Sequence, residues 1–243
     1  MSSILLASLF LATVLTAIIS GVVGMAGGIT LLSFMSFFLS IEVIIPIHGI
    51  VQLTSNTSRC FFLKSKIRRD ALLPFLMGAP IGTLAAYYLI KEIPDKNILY
   101  LPLIAIITYT LFKPKKLPPI KIPMKAFILV GVVTGLMAPL IGATGPLLAP
   151  FFLRDDFSKE EIVATKAASQ MLTHLLKIPV FIALAFPYKD YWLPIALMSI
   201  GAIIGTRLGI YLLGVASERF FRYLYQGALF LSLFRMAYKA LIN

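Results

Sequence analysis

Two sets of four polar residues share one spacing within otherwise apolar stretches of the chain. In each set the successive residues stand four, four and three positions apart, which places all four side chains on one face of an α-helix. The first set is His48, Gln52, Asn56 and Arg59, and the second is Lys166, Gln170, His174 and Lys177. Each side chain can donate a hydrogen bond in at least one protonation state, and none is acidic.

Hydrogen-bond donors and cations on two facing helices are suited to a small oxyanion such as a sulfonate, sulfite or sulfate. Polar groups inside a membrane span are costly, usually face the bundle interior and mark a substrate path. We therefore expect the two faces to line one donor-rich channel. Two alternatives stay open. One is purely structural hydrogen bonding between helices, and the other, for Arg59 and Lys177, is a position near a helix end from which they reach the headgroups.

The composition places these residues in a membrane protein. Of the 243 residues, 59% are hydrophobic and only 13% are charged, which gives more apolar surface than a single soluble domain can bury. Windows of about 19 residues predict apolar stretches. These are 4–23, 29–40, 43–63, 71–90, 98–112, 126–141, 147–153, 162–185, 193–214 and 220–242. Those at 29–40 and 147–153 are too short to cross alone, so we expect an all-α integral membrane protein with about eight transmembrane helices.

Each short stretch coincides with a glycine motif, VGMAGGITLL from Val23 and IGATGPLLAP from Ile141. Glycine does not stiffen a helix and proline lacks a backbone donor, so both segments are expected to be broken. A break is tolerated at membrane depth only beside protein or a water-filled cavity. A helix that begins after it aims free N–H groups at that cavity. We therefore assign Gly27, Gly28 and Gly145 to the anion site, with close helix packing as the alternative.

The two halves of the chain repeat each other. Gly24, Gly27 and Gln52 recur at one constant offset as Gly142, Gly145 and Gln170, and GAPIGT at 78–83 recurs as GAIIGT at 201–206. Repeats of this kind are typical of secondary transporters. We divide the chain into a first membrane repeat (1–112), a basic, proline-rich linker (113–125) and a second membrane repeat (126–243). The spacing in GAPIGT and GAIIGT indicates ordinary small-residue packing.

The net charge of +12 collects at predicted membrane edges, chiefly in the loop at 64–69 and in the linker. This is the positive-inside pattern, so we place both in the cytoplasm and expect no nucleic-acid partner. The counterpart of the first loop, around 187–190, has no net charge, which favours inverted over parallel repeats. The first apolar stretch has no Lys or Arg before it, and we interpret it as a retained helix rather than a signal peptide.

No catalytic or metal-binding motif competes with transport. The sequence has no HExxH or Walker-type motif, and its two histidines lie in different repeats without a cysteine or carboxylate ligand beside them. The lone Cys60 excludes an internal disulfide. We expect neither an enzyme nor a cofactor. The expected partners are a small anionic substrate and the lipid bilayer, and the sequence leaves open whether the chain forms a homo-oligomer.

The two glycine motifs, the polar helix after each and the GAPIGT and GAIIGT echoes together resemble the TauE/SafE family of sulfite and organosulfonate exporters. The resemblance covers essentially the whole chain. The first copy lacks the proline that commonly follows the glycines, whereas Pro150 supplies it in the second. The resemblance implies a multi-pass permease of the cell membrane that moves small sulfur-containing anions and needs no cofactor.

Two classes of function remain open. In a secondary transporter, His48 or His174 would be the natural titrating group for coupling to protons. In an anion channel or a membrane scaffold, the polar faces would serve mainly to join helices. Duplication around broken helices favours alternating access over a fixed pore.

Overall fold

A computed structural model of the chain describes residues 1–23, 27–112, 121–152 and 154–212. These residues form α-helices joined by short 3-10 turns and loops, without a strand. The helices are α1 (Ser3–Val23), α2 (Gly27–Met35), α3 (Ile41–Phe62), α4 (Arg69–Glu92), α5 (Tyr100–Phe112), α6 (Phe127–Ile141), α7 (Gly145–Phe152), α8 (Lys159–Ala183) and α9 (Trp192–Leu212).

The helices coincide with the first nine apolar stretches predicted from the sequence. The tenth stretch, 220–242, and most of the predicted linker, 113–120, lie outside the described residues. Four segments within the described residues are long and apolar enough to cross a membrane: Ser3–Val22, Arg69–Glu92, Met124–Ile141 and Tyr188–Leu212. The all-α membrane architecture is therefore confirmed with four candidate spans, while the larger number of spans and the division into repeats stay predictions.

The outer face of α4 exposes a stripe of large apolar side chains. Five large apolar side chains recur along this helix at steps of three or four residues, and each is more than half exposed. They are Leu73, Met77, Ile81, Leu84 and Tyr88. A soluble monomer rarely exposes a contiguous apolar stripe of this length, whereas lipid tails solvate it. This face of α4 is therefore a lipid-facing surface.

The helical structure is interrupted at the two glycine motifs. Helix α6 ends at Ile141, and Gly142 follows with a φ of 77°, a left-handed conformation that strains any residue with a Cβ. Helix α7 then starts afresh at Gly145. In the first motif α1 ends at Val23 and α2 begins at Gly27, with residues 24–26 outside the described part of the chain. A new, short helix thus begins after each motif, as the sequence predicts.

The two polar helices α3 and α8 pack against each other and run antiparallel. As residue numbers rise along α3 and the loop after it, the numbers of the contacted residues in α8 fall. His48 contacts His174, Cys60 shares one buried cluster with Ala167 and Ala168, and Arg68 donates to Thr165. The two polar faces are thereby buried at the centre of the bundle.

Helices α4 and α6 are held together by glycines. A Cβ built on Gly78 or Gly82 would collide with a backbone carbonyl of α6, that of Ile128 or Val132 respectively. In α6, Gly131 and Gly135 approach the backbone of α4 equally closely. Backbone contact of this kind is what small residues provide in membrane helix packing. The interpretation of GAPIGT as a packing motif is confirmed.

The same arrangement joins α1 to α9. Gly205 lies against the carbonyl of Val14, and Gly209 against the carbonyl of Ile18. Both glycine-packed pairs run parallel, since the residue numbers rise together along the two helices. GAIIGT is therefore a packing motif as well.

An ionic cluster joins the loop after α3 to the loop before α8. Arg68 lies 4.6 Å and Arg154 5.5 Å from the centre of the Phe157 ring. Arg68 pairs with Asp70 at 2.6 Å, and Arg154 donates hydrogen bonds to both carboxylate oxygens of Asp156 at 2.8 Å. The Arg154 guanidinium lowers the pKa of Asp156 to about 2, so this carboxylate is ionised at any physiological pH. We call these five residues the linker-face cluster, because Arg154 also donates to a carbonyl at the end of the linker.

The glycine contacts predict that replacing glycine with alanine lowers stability at position 82 and raises it at position 49. Gly82→Ala drives a Cβ into the α6 backbone, and we expect it to lower stability by about 1–3 kcal/mol. Gly49→Ala meets only the Lys177 side chain, at an ordinary 3.4 Å, and adds up to about 1 kcal/mol of helix propensity. Thermal unfolding of the purified variants in detergent measures both. A Gly82→Ala protein that unfolds at or above the wild-type temperature would contradict the packing.

Candidate functional site

A small buried cavity lies where α3 and α8 meet the beginnings of the two short helices. It is lined by Ser20, Gly28, Ile29, His48, Gln52, Ala143, Gly145, Gln170 and His174. Its volume of about 10 Å³ is close to the minimum that holds one water molecule. None of the lining residues is acidic, and most of the polar ones can donate a hydrogen bond.

The cavity divides the predicted site residues into two groups. Those that line it are Gly28, His48, Gln52, Gly145, Gln170 and His174. Those that do not are Gly27, Asn56, Arg59, Lys166 and Lys177. The sequence reasoning missed Ser20, Ile29 and Ala143, although Ser20 precedes the first glycine motif by about one helical turn and could have been found as a hydroxyl near the break.

His48 is fully buried and is fixed by a hydrogen bond to the backbone. Its Nε2 lies 2.7 Å from the carbonyl oxygen of Gly28. Because a carbonyl only accepts hydrogen bonds, Nε2 carries a proton. The ring of His174 stands edge-on to it, with the ring centres 5.8 Å apart. The Nδ1 atoms of both rings are buried and make no hydrogen bond within the described residues.

The two cations at the far ends of the polar sets are buried rather than exposed to headgroups. Lys177 is 0% exposed, and its Nζ donates to the Gly142 carbonyl at 2.5 Å. Arg59 is 2% exposed and donates to the side-chain oxygens of Asn56 at 3.0 Å and Ser55 at 3.2 Å. The alternative in which these two cations reach the lipid headgroups is therefore wrong.

Asn56 and Lys166 are buried but do not line the cavity. Asn56 donates from Nδ2 to the backbone carbonyl of Gln52 at 2.8 Å while it accepts from Arg59. It therefore links a cavity residue to a buried cation. Lys166 is 0% exposed and lies one helical turn before Gln170 on α8.

The two adjacent glycines of the first motif have different surroundings. Gly27 packs on α1, where a Cβ would collide with the carbonyl of Thr16 and the side chain of Ser20. A Cβ on Gly28 would instead lie 3.2 Å from Oε1 of Gln52 and 3.8 Å from Nε2 of His48. Gly28 faces the cavity, whereas Gly27 contacts α1.

Two helix N-termini meet at the cavity. Gly28, in the first turn of α2, and Gly145, the first residue of α7, both line it. The first turn of a helix has backbone N–H groups without intrahelical partners and carries the positive end of the helix dipole. Together with the donor side chains of α3 and α8, these ends give a site whose chemistry favours anions.

An all-helical membrane protein with a buried polar cavity at its centre has the architecture expected of a membrane transporter. The chain belongs to the sulfite exporter TauE/SafE family, whose sequence model matches residues 9–236, nearly the whole chain. The family membership predicted from the sequence is therefore confirmed. Proteins of this family are membrane transporters, not enzymes. No curated protein and no solved structure matches the chain.

The lining of the cavity predicts which amides contact an anion. Gln52→Ala and Gln170→Ala each remove one donor to a charged ligand, and we expect binding about tenfold to a hundredfold weaker, from the 1.5–3 kcal/mol of such a bond. Thr54→Ala is the matched control, because the Thr54 hydroxyl faces Ser199 of α9. Calorimetric titration with sulfite or a sulfonate measures all three. Equal affinities would exclude the two amides from the site.

The neighbouring glycines predict a separation of stability from binding. Gly28→Ala narrows the cavity beside Gln52, so we expect a folded protein with weakened anion binding. Gly27→Ala collides with α1, so we expect a lower unfolding temperature. Thermal unfolding and anion titration of both variants test this. An unchanged affinity for the anion in Gly28→Ala would show that the side of the cavity formed by Gly28 does not contact the ligand.

Proposed function

We propose that the chain is a multi-pass secondary transporter of the plasma membrane that exports small sulfur oxyanions, organosulfonates or sulfite, bound at the central cavity between two repeats. The observation that carries the proposal is a buried cavity with donor side chains, two helix N-termini and no acidic lining residue. A tetrahedral or pyramidal oxyanion presents three or more acceptor oxygens, which matches donors that converge from several directions.

The size of the cavity supports a transporter over an open channel. At about 10 Å³ it has room for roughly one water, so a sulfur oxyanion enters only if the surrounding helices move apart. A site that must open to load and close again is what alternating access requires. A permanently open pore would instead need a continuous water-filled path.

The helix pairing supports two inverted repeats. The constant offset between the halves makes α3 the counterpart of α8, and these helices run antiparallel. The same correspondence relates the pair α4 and α6 to the pair α9 and α1, and both of these pairs are parallel and glycine-packed. Equivalent helices that run in opposite directions favour an axis in the membrane plane over one along its normal.

The distribution of charge agrees with that topology. Tracing the helices from a cytoplasmic linker places the loop at 64–68 and the loop at 154–158 on the linker side. The connections at 93–99 and 184–191 then lie on the outer side. Most of the basic residues outside the helices are on the linker side, which satisfies the positive-inside rule.

The proposal predicts selective stabilisation by sulfur oxyanions. Purified protein is heated with sulfite, sulfate, thiosulfate, taurine, sulfoacetate or chloride. A ligand at a hundred times its Kd is expected to add about 2.7 kcal/mol to the apparent stability. We expect a shift with sulfite or a sulfonate that is smaller in Gly28→Ala and kept in Thr54→Ala. Shifts no larger than that of chloride would contradict the assigned substrate class.

Transport itself distinguishes a carrier from a channel or a scaffold. In proteoliposomes loaded with unlabelled substrate, a carrier accumulates labelled substrate transiently by exchange. We expect this counterflow in the wild type and in Thr54→Ala. Uptake without counterflow would indicate a channel, and no uptake by a protein that binds the anion would indicate a scaffold.

The inverted arrangement predicts which positions are exposed outside the cell. In a Cys60→Ala background, Ser2→Cys and Lys189→Cys are expected to react with an impermeant maleimide on intact cells. Lys121→Cys is expected to react only after lysis. A reporter fused after Asn243 is likewise expected outside. Labelling of position 189 only after lysis would support parallel repeats instead.

A further inference from the structure

We propose that the cavity takes up one proton together with the anion, and that Nδ1 of His48 receives it. The inference rests on the proposed function, because it concerns the anion site of that transporter. It assigns the coupling ion and the atom that carries it.

The backbone contact of His48 leaves one atom for the proton. Nε2 already carries a proton, which it donates to the Gly28 carbonyl at 2.7 Å. In a neutral imidazole with that tautomer, Nδ1 holds the basic lone pair. This Nδ1 is buried and makes no hydrogen bond in the described part of the chain, while the Gly142 carbonyl lies beside the ring. A proton that arrives in the cavity thus finds a basic nitrogen with a carbonyl acceptor near it.

The titratable groups around His48 come from α8. His174 faces the ring at 5.8 Å between ring centres, and Lys177 donates to the Gly142 carbonyl. Helices α1, α2, α6 and α7 carry no titratable side chain at all. Farther away, Arg59 lies along α3 and Lys166 along α8. Within the described residues, the groups that face His48 are therefore bases and cations, without a carboxylate.

Because no carboxylate faces His48 within the described residues, only a bound anion can balance the charge of a protonated ring. Proton binding is therefore coupled to anion binding. An imidazolium beside Lys177 in a medium of low dielectric is opposed by its own burial and by the neighbouring cation. An anion in the cavity supplies the negative charge that balances it. The coupling is reciprocal, so the proton also strengthens anion binding. Binding then takes up one proton from solution and adds no net charge to the site.

The chain has only two histidines, so both can be observed directly. Protein labelled with ¹⁵N in its histidine rings is titrated with methanesulfonate, which stays fully ionised across the pH range used. We expect the anion to convert the His48 signals from the neutral tautomer to the doubly protonated ring. Dimethyl sulfone, of similar shape but uncharged, is the control and is expected to leave the signals unchanged.

Calorimetry in buffers with different ionisation enthalpies counts the protons. We expect about one proton per methanesulfonate in the wild type and about none in His48→Gln, whose amide still donates to the Gly28 carbonyl. Thr54→Ala, whose hydroxyl lies outside the cavity, is the control and is expected to keep the proton uptake. In the pH range where His48 is neutral in the free protein and protonated in the complex, the apparent Kd of the wild type is expected to rise about tenfold per pH unit. The Kd of His48→Gln is expected to stay constant.

The outcomes separate this inference from the proposed function. Methanesulfonate binding without proton uptake, or with uptake that persists in His48→Gln, overturns the inference and leaves the anion site intact. Absence of binding for both anions at every pH overturns the proposed function and this inference with it. Should His48→Gln fail to fold, the ring signals and proton count of the unaltered protein still decide.

Discussion

The site depends on two hydrogen bonds that buried side chains of α3 and α8 donate to backbone carbonyls at the helix interruptions. Where α6 ends, the Gly142 carbonyl loses its place in a helical ladder, and Lys177 donates to it. At the start of α2, His48 donates to the Gly28 carbonyl. A buried donor left unpaired in an apolar interior costs several kcal/mol, so His48 and Lys177 keep these carbonyl partners and α3 and α8 are held in a fixed rotation. That rotation is what turns Gln52 and Gln170 into the cavity.

The same helices bring positive charge to the centre of the bundle without acidic partners in the cavity wall. At the linker-face cluster, by contrast, both arginines pair with aspartates. Burying a cation without a counter-ion is costly, and even a good buried ion pair adds little stability. The central arrangement is therefore a poor way to stabilise a fold, and an anionic ligand is the simplest physical account of it.

The sequence predicted the helices in broad outline, and the reasons why it could not predict which residues line the cavity are geometric. The spacing of the polar residues defined one face of α3 and one of α8, and both are buried. A helix face extends over the whole helix, whereas the cavity spans about one turn, so Lys166 and Arg59 lie beyond its ends. Gly27 and Gly28 differ by one step of about 100° around α2, and no pattern in the sequence tells which of them faces α1.

The buried state of the distal cations could not be predicted either, because it depends on the partners that tertiary packing provides. A lysine near a helix end reaches the headgroups if nothing nearer accepts its protons. The Gly142 carbonyl is such an acceptor, and only the fold of the chain after α6 places it beside Lys177. Sequence periodicity predicts the direction of a side chain, but it does not predict the acceptor that the side chain meets.

Ion pairs surround the beginning of α8, whereas aromatic rings pack together after its end. This difference bears on the direction of transport. Before α8 lies the linker-face cluster, whose ion pairs are partly exposed and therefore contribute little to stability. After α8, Phe186 packs on Tyr188 and Tyr191, with ring centres 4.8 and 5.4 Å apart. Separating aromatic rings exposes apolar surface at about 25 cal/mol per Å², whereas water readily replaces the partner of an exposed charge. The linker side is therefore the easier side to open, and in the proposed topology it is the cytoplasmic side, from which an exporter loads its substrate.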